Sequence, residues 1–225
     1  MRGGIGQDPR AKGLPRVAEM VAVVEACPAP LVVTSQRADA HQVRKAIDVK
    51  QGHRHRIGER VRPRLVPPVV EREGPRGIGS MQLFIAHDPD EHYFAVRAEE
   101  RLHPQYVRLA AFDLITNNAD RKGGHMLLDG GGHVWAIDNA LTFHRIEKLR
   151  TVIWDFSGER VPDPLLADIE RVMRCVSDEA PESQAFRALI TSAEVDAFVR
   201  RCATLLAEPV LPEMYAWRCV PWPLV

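Results

Sequence analysis

Two aspartates constrain this chain more than any other feature. Asp120 and Asp138 each open a short polar loop, and each loop follows an apolar or helical run. Between them, residues 125–129 and 133–137 read as two short strands joined by Gly130-Gly131-Gly132. A tight hairpin there would place both loops at the same end of one small sheet. Two carboxylates would then share a cleft, an arrangement that can hold a divalent ion and orient a hydroxyl nucleophile.

The run before Asp120 is the clearest helix in the sequence, spanning residues 104–116. Tyr106, Val107, Leu109, Ala110, Ala111, Phe112, Leu114 and Ile115 give it a broad apolar surface suited to burial. Asp113 lies inside that surface. It reads as a paired core acid, or as a support for the following loop from behind. Asn117 and Asn118 end the run and are suited to shaping the loop through side-chain bonds to backbone.

Further along, residues 149–156 carry Trp154 and Phe156 as apolar anchors. Asp163-Pro164 predicts a helix start, with Asp at the N-cap and Pro in the first turn. Residues 184–190 predict a short helix. Thr191-Ser192-Ala193-Glu194 matches a capping box and opens another helix through Val195, Phe198, Cys202 and Leu205. The tail, with Pro221 and Pro223 flanking Trp222, cannot be helical, and Trp222 is expected to dock on the helices.

The first 64 residues have a different texture. They hold 13 Lys and Arg against 6 Asp and Glu, whereas the remainder holds 17 against 24. Residues 41–64 show no periodicity near 2 or 3.6 and read as an irregular or poorly ordered segment. From Leu65 the pattern becomes orderly. Residues 80–86 predict a strand, after a turn at residues 73–77. His87, Asp88, Asp90 and His92 follow it and read as a solvated turn broken by Pro89.

Composition excludes little. The chain is 45% hydrophobic and 27% charged with zero formal net charge, so neither nucleic acid nor a membrane is indicated as partner. No run of 18 apolar residues is present, so no membrane span is expected. The first apolar run is too short for a signal-peptide core, and Cys27, Cys175, Cys202 and Cys219 form no CxxC pair. The reading is a cytoplasmic protein with reduced thiols.

Residues 118–125, Asn-Ala-Asp-Arg-Lys-Gly-Gly-His, followed by the hairpin and Asp138-Asn139-Ala140, resemble the catalytic and metal-binding loops of kinases. The variant is that of phosphatidylinositol 3/4-kinases, whose catalytic loop carries Asp-Arg-His in place of His-Arg-Asp. The stretch resembles, closer still, a family of bacterial phosphatidylinositol 3/4-kinase-related proteins. The resemblance covers residues 65–225. It implies an α+β, kinase-like fold: an irregular or truncated N-terminal lobe through residue 95, then a mainly helical lobe over residues 96–225.

The resemblance also implies roles. Asp120 would orient or deprotonate the attacking hydroxyl, with Arg121 and Lys122 beside it. Arg121 would pair with a carboxylate or stabilise phosphoryl charge, and Lys122 the latter. Asp138 would hold the metal that bridges the phosphates of ATP, and His125 stands where kinases have Asn. An imidazole there suits Mn²⁺ better than Mg²⁺. Asn118, Gln82 and Phe84 are the nucleotide-side candidates, the last two on the strand that would lead to the adenine. The implied partners are a nucleotide and a hydroxyl substrate, whether a small polyol or a protein Ser/Thr, with lipid least supported. No phosphate-pairing Lys is recognisable upstream, because the surroundings of Lys45 and Lys50 do not match, and Ala140 replaces the usual Gly. A pseudokinase acting by binding a partner, or a metal-dependent hydrolase using Asp120, His125 and Asp138, are the alternative functions.

Overall fold

A computed structural model describes residues 64–74, 77–178, 181–215 and 217–225. Lys45, Lys50, Cys27 and the irregular basic segment through residue 63 lie outside the described residues.

The apolar run before Asp120 becomes the central helix. It spans His103–Thr116 and is entered through a 3₁₀ turn at Glu100–Leu102, itself preceded by a one-turn helix, α1, at Tyr93–Val96. We call the long helix α2. Its residues Tyr106, Val107, Leu109, Ala111, Phe112 and Ile115 are buried, as their density along the run predicts. Asn117 ends it in the left-handed conformation at φ 57°, which Asn tolerates better than most residues. The backbone N–H of Asn117 reaches back to Leu114 O, and that of Asn118 to Asp113 O. The helix therefore stops sharply where the candidate loop starts.

The hairpin forms as its sequence indicates. β3, Met126–Leu128, pairs antiparallel with β4, Val134–Ala136, in the register Met126 to Ala136 and Leu128 to Val134. The turn needs a glycine at Gly132, which sits at φ 80°. Asp129 closes the turn by accepting from the N–H groups of Gly131 and His133 and from Trp135 Nε1. Burial pushes the Asp129 carboxyl up, but these three donors outweigh it and hold it below the usual carboxylate range. Leu65, buried beside β4, accepts from Ala136 N at 2.8 Å.

A separate two-stranded sheet precedes α1. Its strands β1, Val69–Gly74, and β2, Gly77–Gln82, run antiparallel. The sequence places this second strand at residues 80–86, and the structure shifts it toward the N-terminus. Pairing ends where Leu83 N meets Pro68 O, because Pro67 and Pro68 offer no N–H to continue the ladder.

Three further helices follow, and the last of them packs against α2. They are α3 at Asp163–Ser177, α4 at Pro181–Leu189 and α5 at Ser192–Ala207. α5 opens with the capping box that its sequence predicts: Thr191 Oγ1 accepts from Glu194 N, and Glu194 Oε2 accepts from Thr191 N. α3 departs from expectation by one residue. Pro162 holds the cap position and Asp163 is already helical, its carboxylate taken by Arg160 at 2.7 Å instead of a backbone N–H. Phe143, Phe186 and Phe198 meet with ring centroids 5.5–5.7 Å apart, joining the chain beyond Asp138 to α4 and α5.

Trp222 does not dock on the helices and is 86% exposed. The tail is held by backbone instead. Leu224 O accepts from Gly123 N at 2.7 Å, and Cys219 O accepts from Thr151 N, which leaves the indole ring free. Cys202 and Cys219 are buried free thiols and Cys175 is partly buried. Helices and small antiparallel sheets together make the described chain α+β, and none of its helices is long and apolar enough to cross a membrane.

Candidate metal centre

Three side chains predicted as site residues converge. Asp120, His125 and Asp138 each offer one ligand atom within 4.8 Å of the others. Ligands at 2.0–2.6 Å from a shared ion fall within such a span. Asp120 follows the end of α2, His125 ends the 3₁₀ turn Gly123–His125, and Asp138 follows β4. The β3–β4 hairpin is what returns the chain to the first loop.

Each ligand is aimed by its local backbone. Asn118 Oδ1 accepts from Asp120 N at 3.0 Å, a turn of the kind Asn makes two residues ahead of itself. Asp138 sits at φ 53°, a left-handed conformation that costs an aspartate roughly 1 kcal/mol and persists only where its surroundings enforce it. His125 Nδ1 lies 3.0 Å from Asp120 O, and Nε2 lies 3.3 Å from Asp138 Oδ2. A carbonyl oxygen can only accept, so Nδ1 carries the proton. Burial pushes the His125 pKa below its ordinary value. Its neighbouring aspartates oppose that shift without cancelling it. The neutral ring then presents the Nε2 lone pair toward Asp138, the tautomer of a metal-bound histidine whose other nitrogen donates to a carbonyl.

The remaining predicted residues divide sharply. Lys122 Nζ stands 3.4 Å from Asp120 Oδ2, both side chains being part-exposed, so it belongs to the open face of the site. Arg121 is fully buried and bound to Asp113 through Nε and Nη2. Of the two roles its sequence context leaves open, the geometry gives carboxylate pairing, because a guanidinium with no exposed surface meets no incoming phosphoryl group. Asp113 is likewise fully buried and accepts from Asn118 Nδ2, so it is both a paired core acid and the loop's support from behind. Asn118 shapes the loop and does not face the opening. Gln82 and Phe84 are exposed, Phe84 to 82%, and no hydrogen bond or ring contact among the described residues ties either to the cluster.

Two other residues matter: Asn117, whose side-chain bonds to backbone its place at the end of the helix predicts, and Asn139, which the sequence left unassigned. Asn117 anchors the segment beyond Asp138, donating from Nδ2 to His144 O and Ile146 O while Oδ1 accepts from Lys148 N. Asn139 is nearly buried and bonded to Arg121. Its signal was a polar residue directly after an acid at a strand end, too common to single out.

Comparison with family models finds no match, and comparison with solved structures finds none either. Protein Rv2133c of Mycobacterium tuberculosis (strain ATCC 25618 / H37Rv) is 33% identical over 192 residues, covering 71% of this chain and 68% of that protein. An identity of this size over that share of both chains shows common descent, and the chain belongs to the same family as Protein Rv2133c.

Proposed function

We propose that the chain is a kinase-like, metal-assisted phosphotransferase that uses ATP to phosphorylate a hydroxyl. The observation that carries this reading is the convergence of Asp120, His125 and Asp138 within 4.8 Å across the hairpin. Two carboxylates and a neutral imidazole favour Mn²⁺ over Mg²⁺, which prefers all-oxygen shells. The lone pair of His125 Nε2 facing a carboxylate at 3.3 Å is repulsive unless a proton or a cation lies between them. Burial disfavours the proton, so a cation is the better resolution.

In this reading Asp138 and His125 hold the ion, which when bound would neutralise charge on the nucleotide phosphates. Asp120 receives the proton of the attacking hydroxyl as its oxygen bonds to the γ-phosphorus of ATP and the bond from that phosphorus to the bridging oxygen breaks, releasing ADP. Lys122, beside Asp120 on the open face, offers a cation to charge that develops on the transferred group.

Thermal shift with Mn²⁺, Mg²⁺ and ATP, on wild type and Asp138→Ala, tests the proposal. Asp138 has a 58%-exposed side chain, so its removal leaves the core intact. Stabilisation by ATP that requires metal and disappears in the variant supports phosphoryl transfer. A response to metal alone points to a hydrolase using the same three residues. No response to either points to a binding module derived from a kinase fold.

A further inference from the structure

Arg121 lies behind the candidate ligands and touches the backbone around them. It directly follows Asp120 in the chain. Its Nη1 donates to Ile137 O at 2.9 Å, the residue before Asp138, and to His125 O at 3.4 Å. Its Nη2 donates to Asn139 Oδ1 at 2.5 Å, the residue after Asp138. One planar guanidinium thus grips Asp138 from both flanks and His125 from beneath.

The guanidinium is itself fixed. Asp113 Oδ2 accepts from Nε and Oδ1 from Nη2, both at 2.9 Å. Asp113 Oδ1 also accepts from Asn118 Nδ2, and Asn118 Oδ1 in turn holds Asp120 N. Both carboxylate-bearing loops are therefore fastened to one buried acid on α2. Asn139 completes the circuit by donating from Nδ2 to Ala136 O at the end of β4. Asp113 and Arg121 are fully buried and Asn139 is 8% exposed, so water does not compete for these bonds.

We propose that Asp113, Arg121 and Asn139 form a positioning relay that sets the gap between Asp120 and Asp138, and through it the affinity of the site for a divalent ion. The inference rests on the metal-binding reading above. None of the three residues touches the ion. The relay supplies the enforcement that the left-handed backbone at Asp138 requires.

Mn²⁺ titration calorimetry and Mn²⁺ electron paramagnetic resonance on the full chain test it, with circular dichroism as the check on folding. Asn139→Ala is expected to weaken Mn²⁺ binding by about ten-fold or more, the usual effect of losing a group that orients metal ligands. Arg121→Lys, which keeps the charge opposite Asp113 but lacks the fork, is expected to do the same. Asn139→Asp retains an acceptor for Arg121 but loses the donor to Ala136 O, and is expected to bind Mn²⁺ more tightly than Asn139→Ala while falling short of wild type. Should Asn139→Ala fail to fold, Asn139→Asp against Arg121→Lys carries the comparison. Wild-type affinity in both Asn139→Ala and Arg121→Lys, alongside lowered melting temperatures, would make the network merely structural and overturn the relay. Absence of Mn²⁺ binding by the wild type would instead overturn the metal reading itself.

Discussion

His125 Nε2 faces Asp138 Oδ2 at 3.3 Å, while the same ring is locked from its other side by the carbonyl of Asp120. Rotation of the ring would break the Nδ1 bond, so the lone pair is held toward the opening. The pair marks where the first loop meets the second, and the chemistry of the site turns on what lies between the two atoms.

Affinity for Mn²⁺ should fall as pH falls, because the ion and a proton compete for Nε2. Burial places the His125 pKa below its ordinary value of about 6.5, so binding should persist to a pH below that value. The linkage to stability has the same sign. In the window between the folded and unfolded pKa values the unfolded chain binds more protons, so the His125 contribution is present above about 6.5 and is lost as pH falls through that window. Titration calorimetry across pH 5 to 8 checks the first effect. A competing ionisation above 6.5 would contradict it.

Asp113→Ala should be among the most damaging single changes. It leaves the guanidinium of Arg121 buried without its carboxylate, a loss of about 3–5 kcal/mol where one partner of a buried pair is removed. Urea unfolding gives the number. A loss below about 1 kcal/mol would mean that water reaches Arg121 easily and that the pair is weaker than its burial implies.

Two neighbouring glycines should respond differently to alanine. Gly132 sits at φ 80°, and a Cβ there would lie 2.8 Å from Arg101 Nη1, whose flexible end can move aside. The backbone cost of about 1 kcal/mol remains. Gly130 has nothing within 4 Å of such a Cβ and no positive φ, so its substitution should be neutral to within about 0.5 kcal/mol. Thermal unfolding of the two variants side by side separates them, and equal losses would refute the turn geometry.

Thr191→Ala removes the side-chain half of the box that opens α5. The helix carries Phe198 and Cys202 into the core, so the loss of about 1 kcal/mol should appear in global unfolding and not as fraying alone. Chemical denaturation measures it. Hydrogen exchange confined to the first turn of α5, with no change in the denaturation midpoint, would be the contrary result.

Local rules wrote much of this molecule into its sequence. The density of apolar residues before Asp120 specified α2, three glycines between two short runs specified the hairpin, and Thr191 with Glu194 specified the start of α5, because each depends on contacts within a few residues. The meeting of Asp120 with Asp138 was legible for the same reason, since a hairpin returns the chain to where it began. Burial of individual polar groups was not. Arg121 and Lys122 are adjacent, and only the packing of α2 behind the loop decides that the first is enclosed by Asp113 while the second stays at the surface. Trp222 is exposed and Asn139 is nearly buried against what side-chain type alone indicates, because long-range backbone bonds and one guanidinium settle both. Sequence fixes what neighbours along the chain can do. Only the assembled core fixes which polar groups lose their water, and that loss is what makes them strong enough to position a site.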